Sequence, residues 1–335
     1  MNTKQEIIDS LEGQYKGDMA PPAIFTQTGT KGQMEASGYS WPDAFYEIDK
    51  LIGLALQPSK MIGFATARIP FDITAESSRL GCEFTPGNSE TQPAVIGSKW
   101  RTGEILDPPE FMSPEEFITE GRTAMYIEAA GRLTKEHEDL FITSAMIDAA
   151  GLAFNLVGTE EFLMASLMDP EPCLKWIGAM APLMNAYGKA LSEVSDNVMV
   201  IASYAEEILS PDMIERFVDP FDRELFSCMK GSFTTAHSCG ESDNILEMLA
   251  SAGETALSVE SWKDPQGVFD RVSDKVKLVG GVEPINLMMM GKPTEIVRSA
   301  KLFSDIGYPV IAPECGVPPQ TPNANLEALA RYREI

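Results

Sequence analysis

Eight short β-branched and apolar runs alternate with longer helical patterns along the chain, at residues 23–28, 61–67, 139–146, 197–203, 233–239, 256–260, 276–282 and 308–313. Alternation of this kind joins parallel strands by right-handed crossovers, and eight repeats suit closure into a ring better than an open sheet. The sequence therefore predicts an α/β fold, a single (β/α)8 TIM barrel forming one domain over residues 1–335, a length such barrels reach with insertions. One excursion, residues 72–138, breaks the spacing. It carries Pro86, Pro93, Pro108, Pro109 and Pro114 and predicts an elaborated connection after strand 2, containing a helix and packed near one rim. Helix starts are legible in Ser113-Pro-Glu-Glu116, where serine caps, proline fits the first turn and Glu116 can complete a capping box. Ser210-Pro-Asp and Thr159-Glu-Glu repeat that pattern.

Fifty acidic residues stand against 26 basic ones, a net charge of −24 that repels phosphate backbones and anionic lipid, so no nucleic-acid partner is expected. The 44% hydrophobic content supports a large core. No stretch of about eighteen apolar residues is free of charge, and even 142–158 is interrupted by Asp148, which argues against a membrane span. Met1-Asn-Thr-Lys-Gln-Glu leads into a polar helical pattern without the apolar segment of a secretory signal, which predicts a cytoplasmic protein.

Five cysteines, at 82, 173, 228, 239 and 315, are odd in number and scattered, so they read as thiols or metal ligands rather than a disulfide framework. The two histidines are His137 and His237. His237 and Cys239 lie two apart in Phe233-Thr-Thr-Ala-His-Ser-Cys-Gly240, at a strand end, so both side chains leave the same face. Their backbone origins are about 6.6 Å apart at strand rise, close enough for both to reach one metal ion. By spacing alone the pair is equally compatible with a packed core thiol. Cys315 follows the last run in Val310-Ile-Ala-Pro-Glu-Cys-Gly, and Glu260 ends the sixth run in Ala256-Leu-Ser-Val-Glu. In a barrel, the ends of different strands meet over one rim, so Cys315 can join the pair and Glu260 is a candidate fourth ligand. One histidine and two cysteines leave an open tetrahedral position, the mark of catalytic rather than structural zinc, and suit thiol alkylation. Cys82, Cys173 and Cys228 lack partners at ligand spacing and read as inert thiols.

At these residues the chain resembles the uroporphyrinogen decarboxylase superfamily, and within it the methylcobamide:coenzyme M methyltransferases of methylotrophic methanogens. The resemblance runs through Phe25-Thr-Gln-Thr-Gly29, Ser40-Trp-Pro-Asp43, Ala67-Arg-Ile-Pro-Phe71, Leu80-Gly-Cys-Glu83, Gln92-Pro-Ala-Val95, Ser258-Val-Glu260 and Leu278-Val-Gly-Gly281, besides the segments around His237 and Cys315. It implies that His237, Cys239 and Cys315 bind zinc, that Glu260 fills the fourth site until a thiol displaces it, and that the thiol attacks a methyl group on the cobalt of a methylated corrinoid protein. The methylcobamide would be carried by that partner, with coenzyme M as acceptor. Arg68 is the candidate contact for the coenzyme M sulfonate, and Gln27 lines the same pocket. The decarboxylases of the superfamily are arginine-rich around their first strand, where this chain reads Thr26-Gln-Thr-Gly-Thr30, so decarboxylation of a polyanionic porphyrinogen is not expected. Two other readings stand beside this one: the same zinc site with homocysteine or another thiol as acceptor, and a non-catalytic relative that binds a corrinoid or tetrapyrrole.

Overall fold

The computed structural model describes residues 2–202 and 208–335. Nine strands occur among them: β1 (Thr66–Ile69), β2 (Cys82–Phe84), β3 (Val95–Ser98), β4 (Phe141–Ile147), β5 (Asn197–Ile201), β6 (Phe233–His237), β7 (Ala256–Ser258), β8 (Lys277–Val282) and β9 (Val310–Pro313). All but β2 and β3 form one parallel sheet in the order β1-β4-β5-β6-β7-β8-β9. Helices on the connections cover its outer face, so β1, β4 and β9 are buried along their whole length, as parallel strands require. The sheet is curled, because side chains from strands far apart in its order pack into one cluster: Phe141 and Ala145 of β4, Met199 of β5, Ala256 of β7, Val279 of β8, and Val310 and Ala312 of β9. Phe25 joins them, its ring stacked on that of Phe141 at 5.4 Å between centroids.

The expectation of eight regular strands needs correcting at the first run, residues 23–28. No strand forms there; one isolated bridge, between Pro22 just before the run and Ile311 of β9, ties it to the sheet. Ala23 N–H donates to Ile311 O at 2.9 Å and Ile311 N–H to Pro21 O at 3.0 Å. On its other side, Ile24 N–H donates to the Thr66 Oγ1 hydroxyl at 3.1 Å, a side chain standing in for a backbone ladder. Pro21 and Pro22 have no N–H to give, which limits the pairing. The second run also begins late. Pro58–Ile62 is helical, and the strand occupies Thr66–Ile69 rather than 61–67. The run at 197–203 is a strand over Asn197–Ile201, and Ser203 lies outside the described residues.

The excursion after the second predicted strand holds helices Ala75–Arg79, Pro114–Thr119 and Gly121–Glu136, together with the antiparallel pair β2–β3. Ser113 caps as expected, its Oγ accepting Glu116 N–H at 3.1 Å, and Ser210 Oγ accepts Met213 N–H at 3.4 Å. Thr159 does not cap: it is the first helical residue, and Gly158 takes the cap position without a side-chain bond. No helix among the described residues is long and apolar enough to cross a membrane.

Candidate metal centre

The sheet delivers its functional side chains from the C-terminal ends of its strands. His237 is the last residue of β6, in register with Ile201 of β5 and Ser258 of β7. Ala202 N–H to His237 O at 3.0 Å and Ser238 N–H to Ser258 O at 3.1 Å carry the ladder just past the strand ends. Cys239 follows at the same-face spacing, and Gly240 then turns the chain away with φ of +81°, a conformation that favours glycine. Cys315 stands two residues beyond β9.

These three side chains converge. His237 Nε2 lies 3.2 Å from Cys239 Sγ, and Cys239 Sγ lies 3.5 Å from Cys315 Sγ. All three donor atoms fall within 4.8 Å of one another. Bonds of about 2.0–2.3 Å to one tetrahedral ion would set such donors about 3.3–3.8 Å apart, close to the separations here, so the imidazole and two thiols can share a single zinc. His237 is buried, Cys315 half-buried and Cys239 exposed, which leaves the cluster open on one side. His237 Nδ1 is 3.1 Å from the buried Ser258 hydroxyl, an outer partner that fixes the ring and aims Nε2 at the sulfurs. The bond from Cys239, together with His237 and the Gly316 amide, holds Cys315 well down, at about 4, while donating to Cys315 pushes Cys239 up.

The other predicted residues surround this group at different removes. Glu260 is not within the three-residue cluster; its Oε1 accepts Gly240 N–H at 3.1 Å, one residue beyond Cys239. Gln27 packs its amide against Gly316, beside Cys315, so closely that a side chain at 316 would displace the amide. Its backbone carbonyl also accepts Val317 N–H at 2.9 Å. Arg68, 2% exposed, has Nε and Nη1 without hydrogen-bond partners. Asp72 does not serve them: its Oδ2 accepts from Arg122 and from Thr74, both at 2.6 Å, and its Oδ1 from Tyr126 at 2.8 Å. Burial lowers Arg68 to about 10, against the pull of Asp72, Tyr126, Cys315 and Glu76, so it keeps its charge at neutral pH. A desolvated guanidinium with free donors, near enough to Cys315 to feel its charge, is suited to an anionic ligand.

Three features here are absent from the sequence reading. Ser258 could have been found, since it precedes Glu260 at the same-face spacing and sits in register with His237. The Asp72–Arg122–Tyr126 network and the contact of Glu314 with Ser261 join segments 50 or more residues apart, beyond the reach of spacing. Burial pushes Glu314 up to about 8, while its bonds from Ser261 pull it back. Beside Cys239 opens a largely apolar cavity of about 270 Å³, lined in part by Ile73, Ile147, Phe154, Ile201 and Ala202.

Comparison with known proteins places this geometry in context. The uroporphyrinogen decarboxylase (URO-D) family profile matches residues 2–334. A methylcobamide:CoM methyltransferase of Methanosarcina acetivorans is 31% identical over 320 residues, 93% of this chain and 92% of that protein. Another, from Methanosarcina barkeri, is 27% identical over 336 residues, 99% of this chain and 97% of its own. Among solved structures, a methyltransferase from Methanosarcina mazei superposes with a TM-score of 0.92 at 26% identity, covering 100% of this chain and 99% of that one.

Proposed function

The chain belongs to the uroporphyrinogen decarboxylase family, and on that premise we propose that it is a methyltransferase moving a methyl group from a methylated corrinoid protein to a thiol, with coenzyme M as acceptor. The observation that carries this is the convergence of His237, Cys239 and Cys315 within 4.8 Å at the mouth of the curled sheet. We further infer a (β/α)8 barrel forming one domain, with the segment at 21–28 as its first stave; its bonds to Ile311 on one side and Thr66 on the other support closure.

Zinc held by these residues would lower a thiol's pKa and, with two thiolates offsetting its charge, leave the bound sulfur nucleophilic. The chain's own side chains do the rest. Ser258 orients His237, and Arg68 takes the acceptor's anionic end through its free Nε and Nη1 donors, fixing the sulfur relative to Cys239 and Cys315. Glu260 is the candidate fourth ligand that the thiol replaces. In the transfer the sulfur–carbon bond forms as the cobalt–carbon bond breaks, and the electron pair stays on the corrinoid of the partner protein. The apolar cavity beside Cys239 gives the methyl-bearing face a water-poor approach.

The test pairs zinc content of the purified protein with methyl transfer from free methylcobalamin to coenzyme M, followed by the methylcobalamin spectrum. Stoichiometric zinc with turnover is expected. Zinc without turnover would move the reading to homocysteine or another thiol, and no zinc after reconstitution, with bound pigment, would favour the non-catalytic relative.

A further inference from the structure

Glu314 is a glutamate with no exposure, one residue before Cys315 and just past β9, between β8 and the loop after β7. Its Oε1 accepts both donors of Ser261, the hydroxyl at 2.8 Å and the amide at 3.3 Å. Its own N–H donates to Val282 O at 3.0 Å, so β8 fixes its backbone. Gly280 of β8 lies against it: a Cβ there would make ordinary contact with Glu314 Cγ at 3.4 Å and Oε1 at 3.5 Å. Ser261 is itself 2% exposed. Burying a carboxylate costs free energy that an apolar residue of the same shape would avoid, so its hydrogen bonds are what this position uses it for.

Those bonds join the immediate neighbours of two candidate metal ligands. The linkage runs Glu260, Ser261, Glu314, Cys315: two peptide bonds and one hydrogen-bonded pair. We propose that Glu314, acting through Ser261, is a positioning residue that sets Glu260 relative to Cys315 and so controls whether the fourth metal position is filled before the thiol arrives. This rests on the metal reading above. Without the clip, the Glu260 carboxylate keeps its bond from Gly240 N–H, and the loop its bond from Asp264 N–H to Ser261 O, but the direct tie between this loop and the residue before Cys315 is lost.

The experiment uses the full chain loaded with cobalt(II), whose visible spectrum reports coordination geometry, without thiol and then with coenzyme M. Wild type, E314A, E314Q, E314M and E260Q are compared. E314A should bind the metal ~10- to 100-fold more weakly, the loss typical when a group that orients a metal ligand is removed. Its thiol-free spectrum should match that of E260Q, and its thiol-bound spectrum that of wild type. E314Q keeps an oxygen acceptor for Ser261 and should restore the wild-type spectrum, which a general packing defect would not do. Wild-type affinity and spectrum in E314A overturn the proposal. Should E314A fail to fold, E314M, which keeps the side-chain volume and removes the acceptor for both Ser261 donors, decides it: a shift toward E260Q supports the clip, and an unchanged spectrum removes it. Absence of cobalt from the wild-type protein would sink the metal reading itself, a result distinct from metal bound equally by all variants.

Discussion

At the scale of single residues, Arg68 separates acceptor recognition from metal binding. A hydrogen bond to a charged group contributes about 1.5–3 kcal/mol, so Arg68→Met should raise KM for coenzyme M ~10- to 100-fold. A neutral thiol of similar length should be used equally well by both proteins, and zinc content should not change. The fold should tolerate the change, because Asp72 is already held by Arg122, Thr74 and Tyr126. Equal losses with charged and neutral thiols would remove Arg68 from acceptor binding. Much of this site was legible in the sequence: period-two spacing at a strand end sets His237 and Cys239 on one face, the family resemblance marks them as ligands, and the expectation that strand ends meet over one rim brings in Cys315. What escaped was the support: Ser258 and Glu314 act through partners fixed only by tertiary packing.

At the scale of elements, strands were legible where β-branched residues were buried on both faces, as in β4 and β5, and illegible where they were short or irregular. The β2–β3 pair has three and four residues, mostly outside the core, and Gly97 within it, too little pattern to register as a hairpin. The approach to β7 carries a pH-sensitive feature that spacing does not reveal either. Glu254, 9% exposed, has neither oxygen hydrogen-bonded, and burial pushes it up to about 7 even though nearby amides pull the other way. An unfolded glutamate titrates near ~4.3, so between these values the native chain holds a proton that the unfolded chain has released. Its contribution is therefore fully present below the unfolded value and lost as pH rises through about 7, a difference on the order of 3 kcal/mol. E254Q, which cannot ionise, should resist urea better than wild type at pH 8 and similarly at pH 4. Parallel urea midpoints for the two proteins across that range would show that Glu254 is not desolvated in solution.

At the scale of the whole molecule, the metal site and the stability of the chain are separable. The cluster lies at the strand ends, one face open, whereas the apolar clusters inside the curled sheet and beneath its helices are built from other side chains. A structural zinc holds a domain together that its core cannot; here the core extends through every strand of the sheet, so a metal bound at this cluster would serve chemistry rather than the fold. Surface electrostatics do not alter this, since ion pairs such as Lys50–Glu47 and Arg132–Asp49 are solvated and contribute little each. Chelation, or C239A and C315A substitution, should therefore abolish methyl transfer while the helical circular dichroism and a cooperative thermal transition persist. The expected fall in Tm is a few degrees, reflecting only the loss of a ligand that binds the native state. Collapse of the helical signal on chelation at room temperature would instead make the ion a structural element, and full activity in both cysteine variants would leave the thiol to be activated by some other group.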